Sequence, residues 1–198
     1  MAQSVAKTPE QLAAEFFELD QRFSRLLQGR SFEQVTWRPA SGGWSVAECI
    51  EHVALINSKY VVSIKAATAD SGAPQTSADR PLTTAGWFSA FFLNSIGPQA
   101  KTKMRAPKVT RPSSVNPEEA LQNLLGTHQQ IRDLLASPSR PDLNRVRFKN
   151  PFVPLLRFTI ASGILIMAAH GRRHLLQAER VCGESGFARA GNMARPSA

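Results

Sequence analysis

Residues 44–56, WSVAECIEHVALI, contain the start of the helix that decides the predicted fold. Ser45 is a typical N-cap residue, and Glu48, three positions later, can return a bond to the cap in a capping box. Trp44 precedes the cap, where a hydrophobic residue can act as a staple against the first turn. Apolar residues then recur at helical spacing, and His52 lies among them. The segment therefore predicts a long amphipathic helix that carries a histidine on its buried stripe.

Three further long helices are predicted from the same kinds of signal. One begins after the cap formed by Thr8 and Pro9 and ends near Gly29, and another begins at the Asn116 cap. The four long helices are expected over residues 9–28, 46–69, 116–135 and 156–182. A shorter apolar helix is expected over 84–96, and no alternating strand pattern persists. Four long helices with long connections predict an all-α four-helix bundle.

The remaining segments are predicted to be connections or a tail. Residues 70–81 and 137–154 contain the proline residues and polar side chains that are typical of loops. Residues 101–111 carry five cations and no acidic residue, and we interpret them as an exposed connection. The chain is expected to form a single bundle domain over residues 1–183, followed by a disordered tail over 184–198.

Positive charge is concentrated in the second half of the chain. Lys and Arg number 24 against 15 acidic residues, which gives a formal net charge of +9. Residues 101–198 hold 16 of these cations and only 6 of the acidic residues. Such an excess favours anionic partners such as nucleic acid, acidic lipid or carboxylate-bearing metabolites. No helix-turn-helix, zinc-finger or RNA-binding motif is visible, so nucleic acid is not the expected partner.

Cysteine usage and hydropathy indicate a cytoplasmic protein. Cys49 and Cys182 are too few for a disulfide scaffold and show no CxxC spacing. The first residues, MAQSVAKTPEQ, contain no apolar signal-peptide core. The most apolar stretch, residues 160–169, is too short to span a bilayer. We therefore expect a reducing cytoplasm and no membrane partner.

Three of the four histidines are candidates for a metal site. His170 and His174 are four positions apart on the last predicted helix, so both imidazoles project from one face. A bundle interior allows another helix to add a third ligand, and His52 is the best candidate because it lies on a buried stripe. Three imidazoles leave positions open to water or substrate, as in catalytic sites. Nitrogen ligands fit zinc, nickel and copper, and we expect zinc or nickel. The fourth histidine, His128, is interpreted as structural.

Ordinary structural roles remain open for several of these residues. A pair of histidines at this spacing often lies on the surface or in the core, and the HExxH protease motif is absent because Gly171 follows His170. Arg172 and Arg173 fit either a solvated face or an anionic substrate held near the site. Gln177, one turn from the second histidine of the pair, could bond to that ring or to a neighbouring helix.

Two segments resemble motifs of the DinB-like (DinB/YfiT) superfamily. Residues 37–53, WRPASGGWSVAECIEHV, resemble the turn "P…GxWS" that leads into a helix bearing "HL". Residues 170–181, HGRRHLLQAERV, resemble the closing helix "HxxRHLxQxxR". The resemblance covers roughly residues 8–183. It implies an up-down-down-up four-helix bundle, often dimeric, with one divalent metal ion held by the three candidate histidines.

The same resemblance implies a class of reaction. Some members are metal-dependent transferases that act with low-molecular-weight thiols such as bacillithiol or mycothiol, and one group isomerises maleylpyruvate. We therefore predict a metal-dependent thiol S-transferase, or a related hydrolase, that uses such a thiol and a small-molecule electrophile and forms a homodimer. The alternative is a non-catalytic protein that retains a metal or engages an acidic partner such as nucleic acid. No catalytic general base is identifiable in the sequence.

Overall fold

Helices dominate the computed structural model of the chain, which describes residues 6–69, 80–98, 106, 108–113, 116–153 and 155–193. The helices of these residues are α1 (Pro9–Leu27), α2 (Phe32–Thr36), α3 (Val46–Thr68), α4 (Gly86–Ile96), α5 (Pro117–Ala136), α6 (Ile160–Cys182) and α7 (Ser185–Met193). The strands are β1 (Ala6–Lys7), β2 (Leu82–Thr83), β3 (Arg147–Lys149) and β4 (Arg157–Thr159). The predicted all-α fold class is confirmed.

Three of the long helices begin at the caps that the sequence predicts. The Thr8 hydroxyl accepts from the backbone N–H of Gln11, whose side chain accepts from the Thr8 N–H in return. Ser45 and Glu48 form the same reciprocal pair at the start of α3. Asn116 caps α5 by accepting from a backbone N–H in the first turn. These bonds satisfy amides that have no partner inside the helix, so the helix starts are fixed locally.

The last long helix begins at Ile160, and the predicted start at residue 156 is wrong. β4 precedes the helix and pairs antiparallel with β3, so that Phe158 lies opposite Phe148. Thr159 then caps α6 by accepting from a backbone N–H in its first turn. A second short pair joins β1 to β2. Strands of two or three residues are too short to produce a detectable alternating pattern, so they were not predicted.

Contacts between the long helices establish their directions. Residue numbers rise together along the contacts of parallel helices, and they run in opposite senses along those of antiparallel helices. α1 is parallel to α6 and antiparallel to α5, and α3 is antiparallel to α6. The contacts are Glu15–Arg172 and Arg22–Glu179 for α1 with α6, and His52–His174 and Tyr60–Gly163 for α3 with α6. For α1 with α5, Asp20 pairs with Arg132, and the charge of Arg140, whose side chain donates to the Leu135 carbonyl at the end of α5, acts on Glu10 in the first turn of α1. The predicted up-down-down-up order is therefore confirmed.

The core lies between the four long helices. α1 and α3 each pack against both α5 and α6, so α1 and α3 occupy diagonal corners of the bundle. The largest fully buried side chains come from all four long helices and from three of the strands, and include Tyr60, Phe16, Phe23, Phe148 and Phe158. This arrangement places the middle of α3 opposite the C-terminal half of α6, where all three candidate metal ligands lie.

Part of the expected C-terminal tail is folded. Ser185–Met193 forms α7, so the prediction of disorder is wrong for these residues, and residues 194–198 lie outside the described part of the chain. Phe187 is buried, with its ring edge-on to Trp37 at 6.5 Å, and the Arg30 guanidinium lies over it at 5.7 Å. The helix is thus held by contacts with residues 30–37, which no local signal reveals.

The basic run at 101–111 is described only in part. Residues 101–105 and 107, like residues 70–79 of the predicted loop, lie outside the described residues. Lys108–Thr110 forms a single 3₁₀ turn in which Lys108 and Val109 are exposed as expected, whereas Thr110 is fully buried, so the expectation of exposure is wrong at that residue. Among the described residues, no helix combines the length and the apolar character needed to cross a bilayer.

Alanine substitutions at Gly163 and Gly126 test the packing, because they should change the free energy of unfolding in opposite directions. A Cβ at Gly163 would lie 2.6 Å from the buried Phe148 ring, whereas nothing lies within 4 Å of a Cβ at Gly126 in α5. We expect Gly163→Ala to lower the free energy of unfolding by about 1–2 kcal/mol, because overpacking exceeds the gain in helix propensity. Gly126→Ala should raise it by roughly 0.5–1 kcal/mol. Urea denaturation measures both; an unchanged or stabilised Gly163→Ala protein would contradict the packing described.

Candidate metal centre

The bundle brings the three predicted ligand histidines together. His52 comes from α3, and His170 and His174 come from successive turns of α6, which runs antiparallel to it. The ring centroids lie 5.1 Å apart for His52 and His170, 4.7 Å for His52 and His174, and 4.5 Å for the α6 pair. Helical spacing accounts for the α6 pair, because residues four apart lie on one face. The third ring is added by tertiary packing.

The ring nitrogens are close enough to serve a single ion. One nitrogen from each of the three rings lies within 4.8 Å of the others. Two nitrogens bound to one zinc ion are at most about 4 Å apart, so small rotations of the rings bring the set into bonding range. Nitrogen ligands of this kind suit zinc, nickel and copper. The cluster therefore fits one divalent metal ion, although binding by these residues stays a prediction.

Burial keeps the three imidazoles neutral. His52, His170 and His174 are 3%, 9% and 7% exposed. This burial lowers the pKa of His52 and lowers that of His170 further below the ordinary value of 6.5, and it lowers the pKa of His174 to about 3. The neighbouring imidazoles and the positive charge of Arg173 add to the effect on the two α6 rings. A neutral imidazole offers a lone pair, which is the form that binds a metal.

Hydrogen bonds orient two of the rings. His52 Nδ1 lies 2.7 Å from the backbone carbonyl of Thr110, and His174 Nδ1 lies 3.0 Å from Oε1 of Gln177. Because both oxygens can only accept, each Nδ1 carries the proton and donates it, and each Nε2 keeps its lone pair. Bonds of this kind fix the tautomer and orientation of metal-binding histidines. Of the two roles left open for Gln177, the structure shows the bond to the His174 ring.

His170 provides a separate observation that fits a metal ion. Its Nδ1 is buried, and no described residue supplies a hydrogen-bond partner for it. Leaving a buried polar nitrogen without a partner costs on the order of 1–3 kcal/mol. A bound cation would satisfy this nitrogen because His170 belongs to the cluster; the Nε2 of His128, which also lacks a partner among the described residues, lies outside it.

The surroundings of the cluster are aromatic on one side and cationic on another. The Trp44 ring lies 4.5 Å from that of His52 and 5.6 Å from that of His174, so the residue that precedes the α3 cap also covers the cluster. Arg173 donates to the carbonyl of Gly97, which follows α4. Its neighbour Arg172 instead pairs with Glu15 of α1. Of the two adjacent arginines, Arg173 is therefore the one whose charge acts on the site.

Other candidate residues have structural roles. His128 is buried away from the cluster, with its Nδ1 2.5 Å from Asp20 and its ring 4.9 Å from that of Phe16, which confirms the structural interpretation. The carboxylate of Glu48 accepts from the Ser45 N–H and pairs with Arg38, as expected for a capping residue. Cys49 is fully buried, and burial raises the pKa of its thiol.

The family assignment agrees with this geometry. A sequence profile of the DinB superfamily matches residues 15–178, more than four fifths of the chain. The chain belongs to the DinB superfamily. No curated protein and no solved structure matches it significantly. The part that matches the DinB profile contains His52, His170 and His174.

Two contributors to this DinB site were not predicted from the sequence. The Thr110 carbonyl, which accepts from His52, belongs to a basic segment that was interpreted as an exposed connection. A backbone carbonyl has no residue-specific signature, so no signal in the sequence could have found it. Trp44 was assigned only to the helix entry; its position eight residues before His52, about two turns of helix, is the signal that could have placed it over the ring.

The lowered histidine pKa values predict how the metal-free DinB protein responds to acid. Below about pH 6.5 the unfolded chain binds protons on these imidazoles that the folded protein does not, so the stability falls as the pH falls. We expect the urea midpoint to decrease between about pH 7.5 and 5.5, the range in which histidine titrates and most carboxylates stay ionised. Replacing all three residues by asparagine should flatten this dependence; an equally steep dependence in the triple variant would contradict it.

Proposed function

We propose that His52, His170 and His174 hold one zinc or nickel ion and that the protein is a metal-dependent thiol S-transferase. The observation that carries the proposal is the cluster itself: three buried, neutral imidazoles whose nitrogens lie within 4.8 Å. Three protein ligands leave coordination positions for an outside molecule, as is typical of catalytic sites. Membership of the DinB superfamily supports a metal-binding role.

Chemically, the proposal needs a thiolate at neutral pH. A divalent ion in this site, when bound, lowers the pKa of a low-molecular-weight thiol. The sulfur then bonds to the electrophilic carbon of a small molecule, a leaving group departs with the bonding electron pair, and the thiol proton passes to solvent. Electrons and atoms balance without an oxidant or reductant. The protein's own part is to present the three oriented rings and to exclude water from them.

The residues around the cluster favour the binding of an anionic thiol. The charge of Arg173 is close enough to lower the pKa of two ligand histidines, so it would also attract the carboxylates that many cellular thiols bear. The Trp44 ring covers the cluster from another side and limits water access. A nucleophilic cysteine of the protein is not required, because the buried Cys49 has a raised pKa. The homodimer and the two small-molecule partners stay predictions.

Metal content tests the ligand set. We expect the purified protein to retain about one equivalent of a divalent metal, and we expect His170→Ala to lose it, because two remaining imidazoles rarely suffice. His128→Asn is the matched control, since that histidine lies outside the cluster and should leave the metal content unchanged. Elemental analysis gives the stoichiometry, and far-UV circular dichroism checks the fold. A full equivalent of metal in folded His170→Ala protein would contradict the assignment.

Conjugation assays test the reaction. We expect the metal-loaded protein to accelerate loss of a small electrophile in the presence of a carboxylate-bearing thiol, and we expect a chelator to abolish the acceleration until metal is restored. 2-Mercaptoethanol, which lacks a carboxylate, should be a poorer substrate at equal concentration. If the protein retains its metal but accelerates none of the thiols above the uncatalysed rate, the metal is structural and the transferase proposal fails.

A further inference from the structure

The outward face of α4 is apolar. Trp87, Phe88 and Phe91 are 76%, 41% and 55% exposed, and we refer to these three residues as the α4 face. The opposite side of the helix is buried against α6 through small and apolar residues: Ser89, Ala90 and Leu93. The helix contains no charged residue. A surface helix ordinarily directs polar side chains outward, whereas α4 directs large apolar side chains outward. Such a face marks a contact surface.

The α4 face adjoins a basic surface. The Phe88 ring lies 6.5 Å from that of Phe158 in β4, which joins α4 to the β3–β4 pair. Phe158 points inward, whereas Arg147, Lys149 and Arg157 are exposed on the other side of the same pair. Lys149 and Arg157 are directly opposite each other across the two strands. We refer to these three cations as the basic hairpin.

The loop of the hairpin adds exposed apolar residues. Leu155 is fully exposed, at 103%, and Val153 is 42% exposed. Leu155 also has a φ of 66°, a left-handed conformation that is unfavourable for a residue with a Cβ. A fully exposed leucine leaves its apolar surface in water, so an apolar environment outside the chain would stabilise it.

Acidic residues are absent from both segments that build this surface. Residues 80–117, which include α4, contain none, and neither do residues 143–178, which include the hairpin. The exposed hairpin cations therefore have no acidic neighbour along the chain to neutralise them. Among the described residues, no ion pair involves any of the three hairpin cations. The surface combines large apolar side chains with positive charge, and it calls for a partner that is both apolar and anionic.

We propose that the α4 face and the basic hairpin dock on the surface of an anionic lipid bilayer. Tryptophan and phenylalanine side chains enter the boundary between headgroups and acyl chains, and lysine and arginine side chains bind the headgroups. Leu155 would insert beside them. The proposal departs from the sequence-based expectation of no membrane partner, which considered only segments that span a bilayer. It does not depend on the metal centre.

Charge complementarity favours a bilayer over the other occupants. A second copy that used the same patch in a two-fold dimer would cover the basic hairpins without supplying an acidic partner, because neither segment that builds the patch contains an acidic residue. Single-stranded nucleic acid would stack on the aromatic rings but would offer nothing apolar to Leu155 and Val153. An anionic bilayer satisfies both the cations and the aliphatic residues.

Vesicle sedimentation tests the proposal. We expect the full chain to bind vesicles of phosphatidylcholine and phosphatidylglycerol, and to bind phosphatidylcholine vesicles much more weakly. Trp87→Ser with Phe91→Ser should weaken binding to the anionic vesicles about tenfold or more, because two large apolar side chains no longer enter the interface. Lys149→Ala with Arg157→Ala should weaken it roughly twentyfold, at about fivefold per charge, and should reduce its salt dependence.

Matched control variants distinguish binding through this surface from the general effect of removing an exposed aromatic residue or exposed cations. Phe32→Ser removes an aromatic residue that is 60% exposed on α2, and Arg25→Ala with Lys65→Ala removes two exposed cations from α1 and α3. Both controls should bind vesicles like the parent chain. Trp87 fluorescence should shift to the blue on binding and be quenched by brominated lipid, and Trp87→Phe should remove that signal. A chelator should leave binding unchanged, which separates this proposal from the metal-dependent function.

Several outcomes would overturn the proposal. Binding that is equal for both vesicle types, or that is unaffected by the α4 substitutions while the controls stay folded, would remove the bilayer as the partner. A chain that ignores vesicles but sediments as a dimer, and becomes a monomer on Trp87→Ser with Phe91→Ser, would assign the face to a second copy. Tight binding to an oligonucleotide without vesicle binding would assign the surface to nucleic acid.

Discussion

Three imidazole rings buried between α3 and α6 impose the constraint on which the rest of this structure depends. Buried polar rings are costly unless each nitrogen finds a partner, and two of the rings find theirs in the Thr110 carbonyl and the Gln177 amide. The His52 bond requires the chain to pass beside α3 at residue 110, and the approach of His52 to both α6 rings requires α3 and α6 to pack antiparallel in one register. The long connection between α4 and α5 therefore helps to build the centre as well as to join two helices.

Local signals account for most of the fold that could be predicted. Helix caps such as Thr8 and Ser45 act within one turn, so the sequence alone locates them, and the spacing of His170 and His174 fixes their common face. The missed features depend on distant partners. Phe187 orders α7 only because Trp37 is there to receive it, and the Thr110 carbonyl matters only because His52 faces it. Pairing His52 with the α6 histidines needed the bundle topology, which the helix count and the family resemblance supplied.

The distribution of ion pairs divides the molecule into two kinds of surface. Glu15 and Glu179 pair with arginines across the α1–α6 interface, where cations and acids are both present. Adjacent residues on a helix point about 100° apart, so Arg172 turns toward α1 while Arg173 turns toward the end of α4. One dipeptide thus serves both the packing of the bundle and the electrostatics of the centre. The net charge of the chain is high because residues 80–117 and 143–178 contain twelve cations and no acidic residue of their own.

The protonation state of the ligand rings also affects how many protons are released when a metal ion binds to the centre. Most metal sites give up protons as they load, because cysteine thiols or charged histidines must first lose them. Here burial has already removed those protons at neutral pH. Loss of protons from the three rings therefore contributes nothing to metal uptake at neutral pH, so any buffer-dependent heat of metal binding comes from a bound water or thiol.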